Sequence, residues 1–378
     1  MRVLLIELDY HPEVVQGICN QLADSHVELG LATRKNIYQQ ISFERPLQNL
    51  FILDKEKSIL SFFNNHEILN KAWDLILFTT AQTHFSELNR LKFQAPLAVI
   101  VHNIHAYFDR SKIKLRWSPF FLWKDFSYLV RILLLKRELY FRKRFLDRVD
   151  HFLFPSQFML DYAKSNYSRF SRQFCDKPIS WVTTKSIQKK EKDYFGITVI
   201  GTIDRRRRDY DVIAKLIQSL QSKSVPSIKI TLAGKPYGSY GKRVVKKLKS
   251  LETNHIQVVT FDRFISDEKL QELVAYTDVL VAPIVEETRH HIWTEYYGET
   301  KISGNINNAM EYGIRSLIPS FYPVDEKLKE VLVPYSDQQD LNEKIIEFIN
   351  HPKLAASSPK LSSDNHIDNI LILLKSEK

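Results

Sequence analysis

The chain has 378 residues, a net charge of +10 and a pI near 9.3, with 44% hydrophobic residues. Its length suggests two domains, and its apolar content supports a sizeable core and excludes wholesale disorder. Two cysteines, Cys19 and Cys175, exclude a disulfide framework and a cysteine-based metal site, and fit a reducing compartment.

Residues 2–9 read as a buried strand. The run is too short, and too soon interrupted by Glu7, for a signal peptide. A loop at 9–13 and a helix over 14–23 follow, then a strand at 27–33. An extended segment and a helix occupy 47–72. Strands at 74–79 and 97–103 flank a helix at 84–92.

Next comes a basic and aromatic segment, 110–148. It holds 12 Lys or Arg against 3 Asp or Glu, a balance of +9, with nine aromatics that include Trp117, Phe120, Phe121 and Trp123. Residues 124–146 read as one amphipathic helix. Its apolar part is about ten residues long and broken by Arg131, so it can lie in a bilayer interface but not cross it. Such a segment fits an anionic membrane surface or a nucleic-acid face. No nucleic-acid motif appears, so no nucleic-acid partner is expected.

A strand at 150–155 leads to Ser156, an N-cap for a helix at 157–164. Residues 165–196 lack periodicity, and the linker is placed at 178–195. The expected domains are therefore 1–180 and 195–355. In the second, strands at 196–201, 228–233, 256–260 and 279–283 alternate with helices at 209–222, 240–251 and 267–275. A helix closed by Gly313 and a strand at 316–320 follow. A last helix within 362–378 is expected to pack back on the first domain. Alternating strands and helices imply an α/β protein of two Rossmann-like parallel-sheet domains facing a cleft.

Ligands of such sheets sit at the carboxyl ends of strands, and the candidate residues fall there. Small and polar residues surround Lys301 just before the helix that Gly313 closes. Free N–H groups at a helix N-terminus, with a lysine beside them, suit a phosphate or diphosphate. Four arginines, 205–208, follow the first strand of the second domain and can grip a diphosphate bidentately. A solvated basic turn is the alternative. Lys235, between Gly234 and Pro236, can reach a phosphate, or sit in an ordinary turn. Glu286 and Glu287 open a loop that runs to Thr300 and can accept hydrogen bonds from sugar hydroxyls. His290 and His291 are adjacent and lack a third ligand, so no metal is expected. In the first domain, His102-Asn103 ends a strand, where a histidine can orient or deprotonate an acceptor hydroxyl. His11 and Glu13 follow the first strand and are further acceptor-side candidates.

Taken together, residues 196–325 resemble the GT-B glycosyltransferases, specifically the family-4-like group. Ile200-Gly201 stands at the strand end, with Arg207 near the position of the family's lysine. Asn308-Ala309-Met310-Glu311-Tyr312-Gly313 resembles the donor-site helix, and Ile314-Arg315-Ser316-Leu317-Ile318 the strand after it. His102-Asn103 resembles the family's acceptor-domain histidine. The family's paired glutamates fall on Thr300 and Asn308, with Glu299 one residue away. Thr202 stands where an arginine is usual.

The resemblance implies sugar transfer from a nucleotide-diphosphate donor, with no cofactor and no bound metal. Positive side chains and a helix N-terminus stabilise the leaving diphosphate instead. It places Gly201, Arg207, Arg208, Lys235, Lys301 and Asn308 at the donor, with the backbone of Ser303, Gly304 and Asn305. It puts Glu287 on the sugar and His102 at the acceptor. The basic segment lies on the acceptor side, so the expected acceptor is lipid-linked or a surface glycan. The expected setting is the cytoplasmic face of the cell membrane. A catalytically silent binding protein of the same fold is the rival reading, since the glutamate pair is absent.

Overall fold

In the computed structural model, which describes residues 1–354 apart from 24, 44–46, 48, 55–57, 117, 118 and 353, residues 3–6 are buried on both faces of their strand. Leu4 and Ile6 join one core, and Val3 and Leu5 join another on the opposite face. Burial on both faces is what a parallel sheet between helices requires. The strands β1 (Arg2–Glu7), β2 (Glu28–Arg34), β3 (Asn49–Leu53), β4 (Leu75–Thr80), β5 (Leu97–Ile100) and β6 (His151–Leu153) form one such sheet, ordered β3-β2-β1-β4-β5-β6. Its helices are α1 (Pro12–Leu22), α2 (Lys35–Tyr38), α3 (Ile59–Asn65), α4 (Phe85–Leu88), α5 (Ile104–Phe108), α6 (Pro119–Val130), α7 (Glu138–Leu146) and α8 (Gln157–Asn166).

The second sheet repeats the plan. It contains β7 (Phe195–Ile200), β8 (Ile228–Ala233), β9 (Ile256–Thr260), β10 (Val279–Val281), β13 (Ser316–Pro319) and β14 (Leu332–Tyr335), ordered β14-β13-β10-β7-β8-β9 and all parallel. Around it lie α9 (Asp211–Gln221), α10 (Gly238–Lys249), α11 (Asp267–Val274), α12 (Gly304–Tyr312) and α13 (Gln338–Asn350). In both sheets the first strand is central and the chain switches sides after the third. Ligands gather at such switch points, here between β1 and β4 and between β7 and β10.

Among the described residues, the chain crosses from the first unit to the second before β7. Trp181 is buried in the first core. Four residues later the Lys185 N–H donates to the Glu311 carbonyl at 2.6 Å, and its ammonium pairs with the Glu311 carboxylate.

Three differences from the sequence reading bear on the site. The helix expected over 124–146 is α6, a five-residue π-helical turn (Arg131–Leu135) and α7, with Arg137 in the left-handed region at φ 47°. The break lets Ile132 face the core while Leu133 and Leu134 face solvent, and it buries Glu138, which accepts the Phe85 N–H. The helix expected at 84–92 stops at Leu88: the Asn89 N–H still reaches the Phe85 carbonyl, but the Arg90 and Leu91 N–H groups turn to the Glu87 and Leu88 carbonyls three residues back. The loop expected at 286–300 contains an antiparallel hairpin, β11 (Glu287–His290) and β12 (Trp293–Tyr296). It reaches into the first unit, where Ile292 and Trp293 pack with Ala106, Ile132 and Leu139. Trp117, the side chains of Phe120 and Phe121, and the helix expected within 362–378 lie outside the described residues. Among the described residues no helix is long and apolar enough to cross a membrane.

Candidate functional site

On the second sheet, the turns after β7 and β8 touch. A Cβ on Gly234 would stand 2.0 Å from the Gly201 carbonyl oxygen. Gly201 itself has φ +103°, and a Cβ there would stand 2.2 Å from Arg208 Nη2. Glycine is required at both positions. Their closeness brings the arginine turn against the start of α12. Arg208 is buried: its Nη1 donates to the Thr202 carbonyl at 3.0 Å and its Nη2 to Asn305 Oδ1 at 2.8 Å. Asn305 Nδ2 in turn donates to the Ile200 carbonyl at 3.0 Å. Arg208 and the Asn305 side chain are thus committed to fastening the strand end to the helix. Arg206 is committed too, paired with Asp204 at 2.6 Å and lying over the Tyr237 ring.

Arg207 and Lys235 are different. Both are exposed, and neither side chain has a hydrogen-bond or ion-pair partner among the described residues. Gly304, at the first turn of α12, is exposed, and a Cβ there would meet nothing within 4 Å. The helix N-terminus therefore faces open space. Ser303 caps it, its Oγ accepting the Asn305 N–H at 3.4 Å. Asn308 lies one turn along, half-buried.

Lys301 bridges the two sheets. Its ammonium donates to Asn103 Oδ1 at 2.5 Å, at the end of β5. Burial lowers its pKa, the nearby Glu295 carboxylate opposes that, and the Arg207 charge adds to it. Thr300, where the family's first glutamate would stand, turns its hydroxyl to the Tyr296 N–H at 2.7 Å.

On the first sheet, a hydrogen-bonded string joins three strand ends. His102 Nε2 donates to the Thr79 carbonyl at 2.8 Å, and the Thr79 hydroxyl donates to Glu7 Oε2 at 2.7 Å. His102 is buried, which holds its pKa well below the usual imidazole range. With Nε2 donating to a carbonyl, the neutral ring leaves Nδ1 as its acceptor. The His11 ring stacks on it, centroids 4.4 Å apart and planes 10° apart. His11 Nδ1 stands 2.6 Å from the exposed carboxylate of Glu13. Burial pushes Glu7 up to about 7, against the opposing influence of His11. At the sheet ends the chain places Lys301 near Arg207, with Lys235 just after β8, and places His11, Glu13, His102 and Asn103 after β1 and β5.

Glu287 sits elsewhere. It is exposed on the edge of the hairpin, 3.5 Å from Lys114, and has no hydrogen bond or ion pair to α12. The carboxylate that the hairpin buries is Glu295, which accepts the Ala106 N–H at 2.9 Å and the His105 N–H at 3.3 Å. Burial raises its pKa, and hydrogen bonds from Thr300 and the backbone, with the Lys301 charge, limit the rise. A signal for Glu7 exists in the sequence, since it ends the apolar run 3–6 at the carboxyl end of its strand, where ligands of such sheets sit. Glu295 carries no such signal. His291, in the left-handed region at φ 54°, stacks on Tyr128 at 4.9 Å. Among the described residues no group of three or more His, Cys, Asp or Glu is placed to hold a metal ion.

No protein-family model matches the chain, and no curated protein matches it. Solved structures do. TarM superposes with a TM-score of 0.56 at 9% identity, over 100% of this chain and 98% of the other. HepE from Anabaena, solved in complex with UDP, gives 0.53 at 12% identity, over 100% and 98%. A UDP-N-acetylglucosamine 2-epimerase gives 0.50 at 9% identity, over 100% and 97%. Two parallel sheets of one strand order, joined before β7 and matched end to end by these structures, show that the chain has the GT-B fold.

Proposed function

We propose that this chain transfers a sugar from a nucleotide-diphosphate donor to an acceptor hydroxyl. The observation that carries the reading is the open N-terminus of α12, flanked by the unpaired cations of Arg207 and Lys235. Unpaired charges beside free N–H groups are a ready site for a diphosphate. Lys301 adds a third cation. As the donor bond breaks, negative charge grows on the diphosphate, and these groups stabilise it without reorganising. No bound metal is invoked, so turnover should survive EDTA. On the other side, His11, paired with Glu13 and stacked on His102, takes the acceptor proton in this reading. The bound UDP of the similarly folded HepE supports a nucleotide donor.

The acceptor we propose is lipid-linked or a surface glycan, met at the cytoplasmic membrane face. The support is on α6, α7 and the turn between them, where Trp123, Phe126, Leu134 and Tyr140 are exposed among Lys124, Arg131, Lys136, Arg137, Lys143 and Arg144. Each basic residue near an anionic surface adds about 1 kcal/mol of attraction.

Incubation with UDP-, GDP- and dTDP-sugars, reading nucleotide release and sugar transfer, tests the reaction. Turnover that falls in Arg207→Gln supports it. Nucleotide binding without turnover for any donor would favour a silent binding protein, which the uncharged Thr300 and Asn308 also fit. Absence of nucleotide binding removes both readings.

A further inference from the structure

A cavity of about 120 Å³ lies between the end of β4, the α6–α7 segment and the tip of the hairpin. Its walls hold three buried N–H groups without an acceptor: Gln82 Nε2, Arg142 Nε and Trp293 Nε1. Buried polar groups are nearly always hydrogen-bonded. All three orphans are donors on different elements, so the missing partner must accept.

Charge points the same way. Arg142 lies over the Trp293 ring at 4.6 Å and donates to the Ala106 carbonyl. Among the described residues no carboxylate stands within ion-pair distance of it, and burial lowers its pKa to about 10. Arg131 and Lys136, at the two ends of the π-helical turn, are exposed on the same cavity. Such turns recur at functional sites. The one acid in the lining, Glu138, faces the Phe85 N–H at 3.2 Å, and burial raises its pKa. Burial lowers the pKa values of His290 and His291. On the same wall the Gln82 backbone N–H donates to Asp9 Oδ2 at 2.8 Å, two residues before His11, so the cavity adjoins the proposed transfer centre.

Sites that enclose a whole small molecule run to about 300–1,000 Å³, so this one takes a single group. A tetrahedral oxyanion offers acceptor oxygens in several directions and matches three separated donors and an arginine fork better than a planar carboxylate does.

We propose that this cavity binds a phosphoryl group of the acceptor, as a phosphomonoester or phosphodiester, and so fixes the acceptor beside His11. This rests on the transferase reading above.

The test is a titration of the full chain with inorganic phosphate, followed by 31P line broadening, with saturating UDP present. Saturable binding is expected to weaken about tenfold in Arg142→Gln and about threefold in Arg131→Gln, with UDP affinity unchanged in both. Arg131 is exposed, so that variant keeps the fold even if the other does not. Phosphate affinity unchanged in Arg131→Gln and Arg142→Gln, or phosphate fully displaced by UDP, overturns the proposal. Phosphate binding that responds to both variants in a protein that binds no UDP keeps the cavity and removes the transferase reading. Displacement of phosphate by phosphatidic acid vesicles supports the site and assigns a lipid phosphate. Retention of phosphate against the vesicles supports it and assigns a soluble or polymer phosphate.

Discussion

Truncating Glu295 to alanine tests whether the hairpin ties the two halves together. The carboxylate accepts N–H groups from Ala106 and His105, which are 189 and 190 residues away in sequence. Glu295→Ala leaves both donors buried without a partner, at about 1–3 kcal/mol each. It also removes the counter-charge near Lys301. Against this, it relieves the desolvation that raises the Glu295 pKa. The expected net loss is about 2–4 kcal/mol at pH 8. Glu295→Gln keeps an acceptor oxygen in nearly the same shape and should lose about 1 kcal/mol. Hydrogen exchange is the primary readout, because a chain of two sheets need not unfold in one step. The amides of residues 105 and 106 should lose protection in Glu295→Ala while those of β7 and β8 keep theirs. Stability within about 0.5 kcal/mol of the parent, with unchanged exchange at those two amides, would refute the reasoning.

Glu7, raised to about 7 by burial, predicts a pH dependence. Its folded pKa lies above its unfolded value of 4.5, so its contribution is fully present below 4.5 and is lost as pH rises through 7, about 3 kcal/mol in all. The slope of Tm against pH over this window should therefore flatten in Glu7→Gln. Arg208→Ala should cost about 2–3 kcal/mol in denaturant titrations, since Thr202 and Asn305 lose a buried charged donor. Arg207→Gln should leave Tm unchanged and weaken UDP binding about tenfold by calorimetry. Serine at both Trp123 and Leu134, which are 74% and 70% exposed, should weaken flotation with anionic vesicles about tenfold at unchanged Tm.

The strand ladder was legible because runs such as residues 75–78 are apolar on both faces, and only a covered parallel sheet satisfies that. Turn positions were legible from Gly201, Gly234 and Gly313. What escaped depends on distant partners. Four consecutive arginines look alike in sequence, and only contact with Asn305 makes Arg208 a structural strut while Arg207 stays free. Glu287 and Glu295 are equally acidic, and the hairpin's alternation sends one to solvent and the other against α5. The π-helical turn at 131–135 adds no compositional mark to a segment that is helix-forming throughout.

The Lys301 contact with Asn103 carries a thermodynamic corollary. An ammonium has three protons, and Asn103 engages one. A diphosphate at α12 that engages another is then held by a group already moored in the opposite half. Coupling of this kind is reciprocal: whatever steadies the halves against each other raises nucleotide affinity, and nucleotide steadies the halves by the same factor. Asn103→Ala, though remote from every group proposed to touch the nucleotide except Lys301, should then weaken nucleotide binding and loosen the halves together.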